Sequence, residues 1–285
     1  MKIAICGASG FIGSYLCHYL KNSGYEILPL RRKHFKPKQE NELLSILEQA
    51  DIVINLAGST IAQRWTRWAK EDIIESRIGT TRLLAHAIDR ISSKPKAYLS
   101  ASAVGIYPND YHIYRERDNS KGKTFLAETC KMWEEEASTI SKDVRLVIMR
   151  FGLVFGPDGG ALSKMTIPFK LFMGGIIGNG YQLMSWIHIE DLANAIKHLI
   201  ESECSEGVYN ISSPEVLNNR SFTRAISKHL KRPSWLRIPK PLLRALFGDM
   251  SIVFTQGQGA YPERLINEGF IFKYDSIEKA LKDIL

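Results

Sequence analysis

Seven residues near the start of the chain constrain its fold most. Gly7-Ala8-Ser9-Gly10-Phe11-Ile12-Gly13 follows a short β-branched run, Lys2–Cys6, and opens a helix-like stretch over 11–23 that Gly24 stops. Glycines at this spacing allow a tight turn from strand to helix. They also let backbone N–H groups approach a diphosphate and let helix and strand pack closely. The helix N-terminus, with its positive dipole end, then faces the phosphates. The pattern is weak alone, but here a strand precedes it, a helix follows, and a second strand over 25–30 comes at the proper distance. Gly7, Ser9, Gly10, Phe11, Ile12 and Gly13 are therefore candidate dinucleotide contacts.

The end of the second strand selects the cofactor. An NAD site places a carboxylate there for the ribose hydroxyls, whereas this chain has Arg31 and Arg32. A guanidinium can hold a 2′-phosphate bidentately, so NADP is expected. Asn55-Leu56-Ala57-Gly58 ends the next buried strand. Small residues there leave room for ribose and diphosphate beside the first loop, which adds Leu56, Ala57 and Gly58 to the candidates.

Strand and helix patterns alternate through the first two thirds: helix 42–49, strand 51–56, helix about 69–91, strand 96–102, helix 125–140, strand 144–150. That alternation predicts an α/β fold with a doubly wound parallel sheet (Rossmann). Beyond Arg150 come glycine-rich loops at 156–160 and 174–180, then strand 185–189, helix 190–201 and strand 208–211, expected to rejoin the sheet. From Ser221 onward short helices are broken by Pro233, Pro239, Pro241 and Pro262. The division expected is a dinucleotide-binding domain over 1–155, with 184–211 returning to it. A smaller, mainly helical C-terminal substrate lobe would take 156–183 and 212–285.

Further segments are S-A-S-A-V-G-I-Y (100–107), R-F-G-L-V-F-G-P (150–157), S-W-I-H-I-E-D-L (185–192) and G-V-Y-N-I (207–211). With the glycine loop, they make the chain resemble the extended short-chain dehydrogenase/reductases, the group of nucleotide-sugar epimerases and dehydratases. It is similar in particular to an atypical epimerase-like subfamily, through Arg64-Trp65, S-R-x-x-T-T (76–81), G-G-A-L-x-K-M (159–165) and M-S-W-I-H (184–188). The resemblance implies a cleft between the two parts and cofactor contacts from Asp72, Arg77 and Val154. One departure concerns the adenine end: the segment 33–42 is short and lacks the acidic strand end usual in extended members.

The resemblance also implies hydride transfer assisted by a Tyr-x-x-x-Lys pair on one helix face, with a serine beside it. None of the eleven tyrosines has lysine four residues later. Aligned on Glu134, the two places fall on Leu126 and Cys130. Ser102 matches the serine. Tyr107, five residues on, is the leading substitute proton donor, ahead of Glu128 and Cys130, although an aromatic packing its loop would look the same. Two readings stay open: an oxidoreductase or epimerase with an atypical active site, or a catalytically weak NADP-binding regulatory or sensor protein. Serine-hydrolase chemistry is disfavoured, since G-x-S-x-G is absent. His188, between two isoleucines, is expected to be a structural, hydrogen-bonded histidine. Trp65, Trp68 and Trp186 either line the cleft or form core.

Composition narrows the partners. Hydrophobic content of 45% and charged content of 24% suit a soluble globular protein, and no apolar run is long enough to cross a membrane. Cys6, Cys17, Cys130 and Cys204 are scattered, and H-E-x-x-H is absent, so reduced thiols, no metal site and a cytoplasmic location are expected. The formal charge of +8 and the run Arg31 to Lys38 lack the interleaved aromatics and reading motif of a nucleic-acid surface. They suit polyanionic small molecules instead: the dinucleotide and a substrate that is phosphorylated or nucleotide-linked. No membrane partner is expected, and the sequence leaves the oligomeric state open.

Overall fold

A computed structural model describes residues 1–157 and 159–285. β1 (Lys2–Cys6) enters α1 (Phe11–Asn22) through the glycine loop, and β2 (Glu26–Leu30) follows. Next come α2 (Glu40–Glu48), β3 (Ile52–Asn55), α3 (Arg67–Arg90) and β4 (Ala97–Ala103). After the short β5 (Ile113–Tyr114), α4 (Phe125–Ala137) leads to β6 (Arg145–Phe151). β7 (Leu153–Gly156), α5 (Gly160–Lys170), β8 (Gly175–Ile177), β9 (Leu183–Met184) and β10 (Trp186–His188) precede α6 (Ile189–Glu201) and β11 (Gly207–Ile211). The last part holds β12 (Leu217–Asn218), α7 (Asn219–Leu230), β13 (Leu236–Ile238), α8 (Lys240–Phe247), α9 (Ile252–Thr255), β14 (Gly259–Ala260), α10 (Glu263–Asn267) and α11 (Ile277–Ile284).

Six strands form one parallel sheet in the order β11-β6-β4-β3-β1-β2. This is the doubly wound sheet expected from the alternation. Its central strands are apolar on both faces because helices cover both. On one face Leu16 and Leu20 of α1 and Leu192, Ile196 and Leu199 of α6 pack on Ile3, Ile5 and Val147. On the other, Leu43 and Leu47 of α2 and Leu84 and Ile88 of α3 pack on Ala4, Val53 and Tyr98. The order reverses between β1 and β3, so the crevice at their C-terminal ends is where a doubly wound sheet binds its ligand.

One expectation needs correction. The strand at 185–189 forms, as β10, but does not join this sheet; it pairs with β7 in a separate parallel ladder. Gly152, between β6 and β7, lies directly against the start of β10: a Cβ there would sit 2.9 Å from the Ser185 carbonyl oxygen, which also accepts the Leu153 N–H at 2.8 Å. β11 takes the place beside β6 instead. Two small ladders, β8–β13 and β9–β12, brace the helices of the C-terminal part. There Phe155, Trp186, Phe222 and Leu281 form a separate core.

Candidate functional site

The register of the sheet brings three strand ends level. Cys6 pairs with Leu30 on one side and Asn55 on the other, so Gly7, Arg31 and Leu56 begin side by side. Gly7 has φ +80°, and a Cβ on it would sit 2.6 Å from the Leu56 carbonyl oxygen; a Cβ on Gly13 would sit 2.1 Å from the Gly7 oxygen. Both glycines are thus demanded by backbone packing. Gly10 differs: its Cβ would meet only the Gly7 oxygen, at 3.4 Å, an ordinary contact. Gly10 and Ser9 are exposed, and no side chain caps the N-terminus of α1. The first N–H groups of α1 have no intrahelical partner by construction, and nothing in the local fold requires glycine at position 10. The space in front of it suits an anion approaching the backbone.

The β3 exit is fixed from α3. The Asn55 Oδ1 accepts the Ala57 N–H at 3.1 Å, while its Nδ2 donates to Thr81 Oγ1 at 2.8 Å and to Tyr98 at 3.1 Å. The Ser59 N–H donates to Ser76 Oγ at 2.9 Å, and Arg77 Nη2 donates to the Ser59 carbonyl at 3.1 Å. The S-R-x-x-T-T segment therefore holds the Leu56–Ala57–Gly58 turn in place. Arg77 lies against Gly58, where a Cβ would come within 3.0 Å of its guanidinium carbon, and over the Trp133 ring at 5.3 Å. Burial lowers its pKa from the ordinary arginine value, and no carboxylate pairs with it among the described residues. Arg31 and Arg32 are exposed at the β2 end and likewise unpaired among the described residues. The neighbouring Lys33 and His34 instead face Glu42, at 2.8 and 3.2 Å.

Other residues singled out from the sequence are placed differently. The Phe11 ring packs against Gly156, Gly159 and Gly160, so its side chain joins α1 to the G-G-A-L turn. Ile12 packs on the sheet core, and Val154 is buried in it beside Ile187 and Ile189. Asp72 is exposed on α3.

Ser102 and Tyr107 are both buried, and both belong to a polar network that sequence reasoning missed. Ser102 Oγ donates to Glu134 Oε1 at 2.7 Å. Arg150 holds the same carboxylate with Nε at 2.8 Å and Nη2 at 2.7 Å, and donates from Nη1 to the Tyr107 hydroxyl at 2.8 Å. That hydroxyl donates in turn to Asn210 Oδ1 at 2.9 Å. Burial raises the Tyr107 pKa, partly offset by Arg150. For Arg150, burial opposes the charge, but the Glu134 carboxylate outweighs it and holds the pKa above the ordinary arginine value. The signal available in sequence was a charge at a buried phase: Glu134 beside Trp133 on the face of α4 that carries Cys130 and Ala137, and Arg150 ending an apolar strand.

The places aligned with the tyrosine and lysine are apolar. Leu126 packs in a cluster with Trp65, Ile73 and Met250, and Cys130 lies beside Ile106 and Tyr107. Burial pushes the Cys130 thiol up to about 12, so it stays protonated near neutral pH. A cleft of ≈ 560 Å³ opens beside this cluster, between Trp65, Lys70 and Phe125 on one side and Lys240, Arg244 and Ile252 on the other. Lys70 crosses it to Asp249 at 2.6 Å. Trp65 thus reaches the cleft edge, Trp186 is core, and Trp68 is exposed. His188 caps α6, accepting the Glu190 N–H on Nδ1 at 3.2 Å.

A six-stranded doubly wound sheet with an open glycine turn at its switch point defines a nucleotide-binding α/β protein. The chain belongs to the NAD dependent epimerase/dehydratase family, whose model matches residues 3–212; a domain of unknown function (DUF1731) matches 238–284. It is 36% identical to the epimerase family protein YfhF of Bacillus subtilis, over all of this chain and 98% of that one. It is 35% identical to the chloroplastic epimerase family protein SDR39U1 homolog of Arabidopsis thaliana, over all of this chain and 87% of that one. Human epimerase family protein SDR39U1, crystallised with NADPH, superposes with a TM-score of 0.92 at 32% identity, covering 100% of this chain and 99% of that chain.

Proposed function

We propose that this protein binds NADP(H) in the crevice between β1 and β3 and acts as a slow oxidoreductase or epimerase-like enzyme on a small anionic substrate. The observation that carries the reading is the open Gly10 turn beside Arg31 and Arg32, which have no carboxylate partner among the described residues. The turn can take a diphosphate on backbone N–H groups, and the arginines can take a 2′-phosphate. The human relative's NADPH supports the same choice. When bound, the cofactor supplies hydride. The chain's part is to orient it: the Gly7–Gly13 loop and the Leu56–Gly58 turn as its bed, Arg77 as a fixed positive charge beneath that turn.

Residues 156–183 and 212–285 serve as the substrate lobe in this reading, and the cleft between Trp65 and Arg244 receives the substrate. Lys240 and Arg244 favour a phosphorylated or nucleotide-linked molecule. Slow turnover follows from the missing tyrosine–lysine pair. General acid catalysis contributes about 10²–10⁴-fold; Leu126 has no proton to give, and burial makes the Cys130 thiol a weaker acid than a free one. A cytoplasmic location is our reading from four free cysteines; among the described residues no helix is long and apolar enough to cross a membrane.

The second reading, an NADP-binding regulatory protein without turnover, draws on the commitment of Ser102 and Tyr107 to the buried network. NADPH oxidation assayed against a panel of nucleotide sugars and their keto forms separates the two. Slow, saturable turnover supports the enzyme; firm NADPH binding with none supports the regulator. Brisk nucleotide-sugar turnover would refute the link between the missing pair and rate.

A further inference from the structure

The C-terminal part carries its charge and its exposed apolar side chains in the same place. Residues 159–189 and 216–248 contain ten lysines and arginines and no aspartate or glutamate. The parallel ladder between β8 and β13 brings these two segments together, pairing Gly175 with Leu236. Both chains therefore enter the ladder at the same end. At that end Leu171, Phe172 and Met173 are 59%, 53% and 54% exposed, and Trp235 is 74% exposed. The Arg232 guanidinium lies 4.3 Å over the Phe172 ring, which ties the two entry turns into one surface. Phe172 and Lys231, with φ of 58° and 52°, are the non-glycine residues in the left-handed region among those described, and each ends a helix at this surface.

Lys170, Lys231 and Arg232 also lie here, and none pairs with a carboxylate among the described residues. Four large, exposed apolar side chains at one end of one ladder make an apolar surface beside these cations. A nucleic acid would match the charge but give the aliphatic groups nothing to bury against. A bilayer rich in anionic lipid matches both: headgroups for the cations, and an interfacial layer for tryptophan and the aliphatic tips.

We propose that this end of the β8–β13 ladder docks the protein on an anionic membrane surface, with Trp235, Phe172 and their neighbours in the interface and Lys170, Lys231 and Arg232 on the headgroups. Such docking needs no spanning helix. It is a different matter from the absent apolar run on which the expectation of no membrane partner rested. The proposal is independent of the cofactor and of turnover.

The test is sedimentation of the purified full chain with vesicles rich in phosphatidylglycerol and with phosphatidylcholine alone. Binding is expected only to the former, and is expected to weaken steeply with salt. Lys231→Ala with Arg232→Ala should weaken it roughly thirtyfold, and Trp235→Ala with Phe172→Ala about tenfold or more. Circular dichroism and NADPH titration check that the variants fold. Quenching of the native protein's tryptophan fluorescence by brominated acyl chains tests insertion without any substitution. No binding to anionic vesicles, no quenching, or binding unchanged in both variants would overturn the proposal. So would tight DNA binding without vesicle binding, or a concentration-dependent dimer in sedimentation velocity that Trp235→Ala abolishes, since a second copy would then be the occupant.

Discussion

The Arg150 guanidinium grips the Glu134 carboxylate with two parallel hydrogen bonds, 2.8 and 2.7 Å long, and both side chains are buried. Strand β6 and helix α4 are locked together by this pair. Its unused edges hold Ser102 from one side and Tyr107 from the other. The two residues that sequence pointed to for catalysis are therefore first of all partners of a buried ion pair.

Removing one member of that pair should be severe. Arg150→Ala leaves Glu134 buried and uncompensated, at a cost of about 3–5 kcal/mol. The double change Glu134→Leu with Arg150→Met should cost much less, because no charge is then left alone. Urea unfolding of the three proteins checks this; equal costs for single and double changes would contradict it.

Tyr107→Phe should act on stability rather than on chemistry. It strips a hydroxyl that serves Arg150 and Asn210, which predicts a loss of about 1–3 kcal/mol. NADPH affinity and any measured turnover per folded molecule should stay level. A rate collapse in a protein that remains stable would return Tyr107 to the role of proton donor.

Gly10 offers a clean probe of the dinucleotide loop. A Cβ at Gly10 makes only an ordinary contact with the Gly7 oxygen, so the Gly10→Val variant should fold normally and lose NADPH binding. Gly13→Val, whose Cβ would lie 2.1 Å from a backbone oxygen, should fail to fold. Thermal melting and calorimetric titration distinguish the two. Normal NADPH binding by a folded Gly10→Val protein would place the cofactor elsewhere.

NADPH should bind more tightly than NADH. A charge-assisted hydrogen bond contributes about 1.5–3 kcal/mol, so one good arginine contact gives roughly tenfold to hundredfold preference. Arg31→Asp with Arg32→Ala should narrow or reverse it. Both side chains are exposed and have no carboxylate partner among the described residues, so the fold should be unaffected. Equal affinities in the unmodified protein would remove the basis for NADP.

His188 predicts a pH dependence. Burial is the larger effect and lowers its pKa; the facing Asp283 and Glu190 pull it up, and Lys273 adds to the lowering. A histidine held below its unfolded value gains a proton on unfolding. Stability therefore rises with pH through that window, is fully present above about 6.5, and is lost as pH falls. His188→Asn can keep the cap on α6 while removing the titration, so the slope of stability between about pH 5 and 6.5 should flatten. An unchanged slope would assign the acid sensitivity to other groups.

The sequence by itself determined the sheet and pointed to the cofactor end. Glycine spacing, apolar strand runs and the Arg31–Arg32 pair are local features. Their meaning survives without knowing what packs on them, because a strand–turn–helix has one way to present its backbone N–H groups. Tertiary structure alone decided the rest. It paired β10 with β7 instead of with the main sheet. It joined Glu134, Arg150, Tyr107 and Asn210, which lie up to 103 residues apart, into one network. It gathered Phe172 and Trp235 at one end of a ladder. Each of these depends on which strands become neighbours. Neighbour choice is set by the burial of whole faces, and no stretch of sequence carries that information alone.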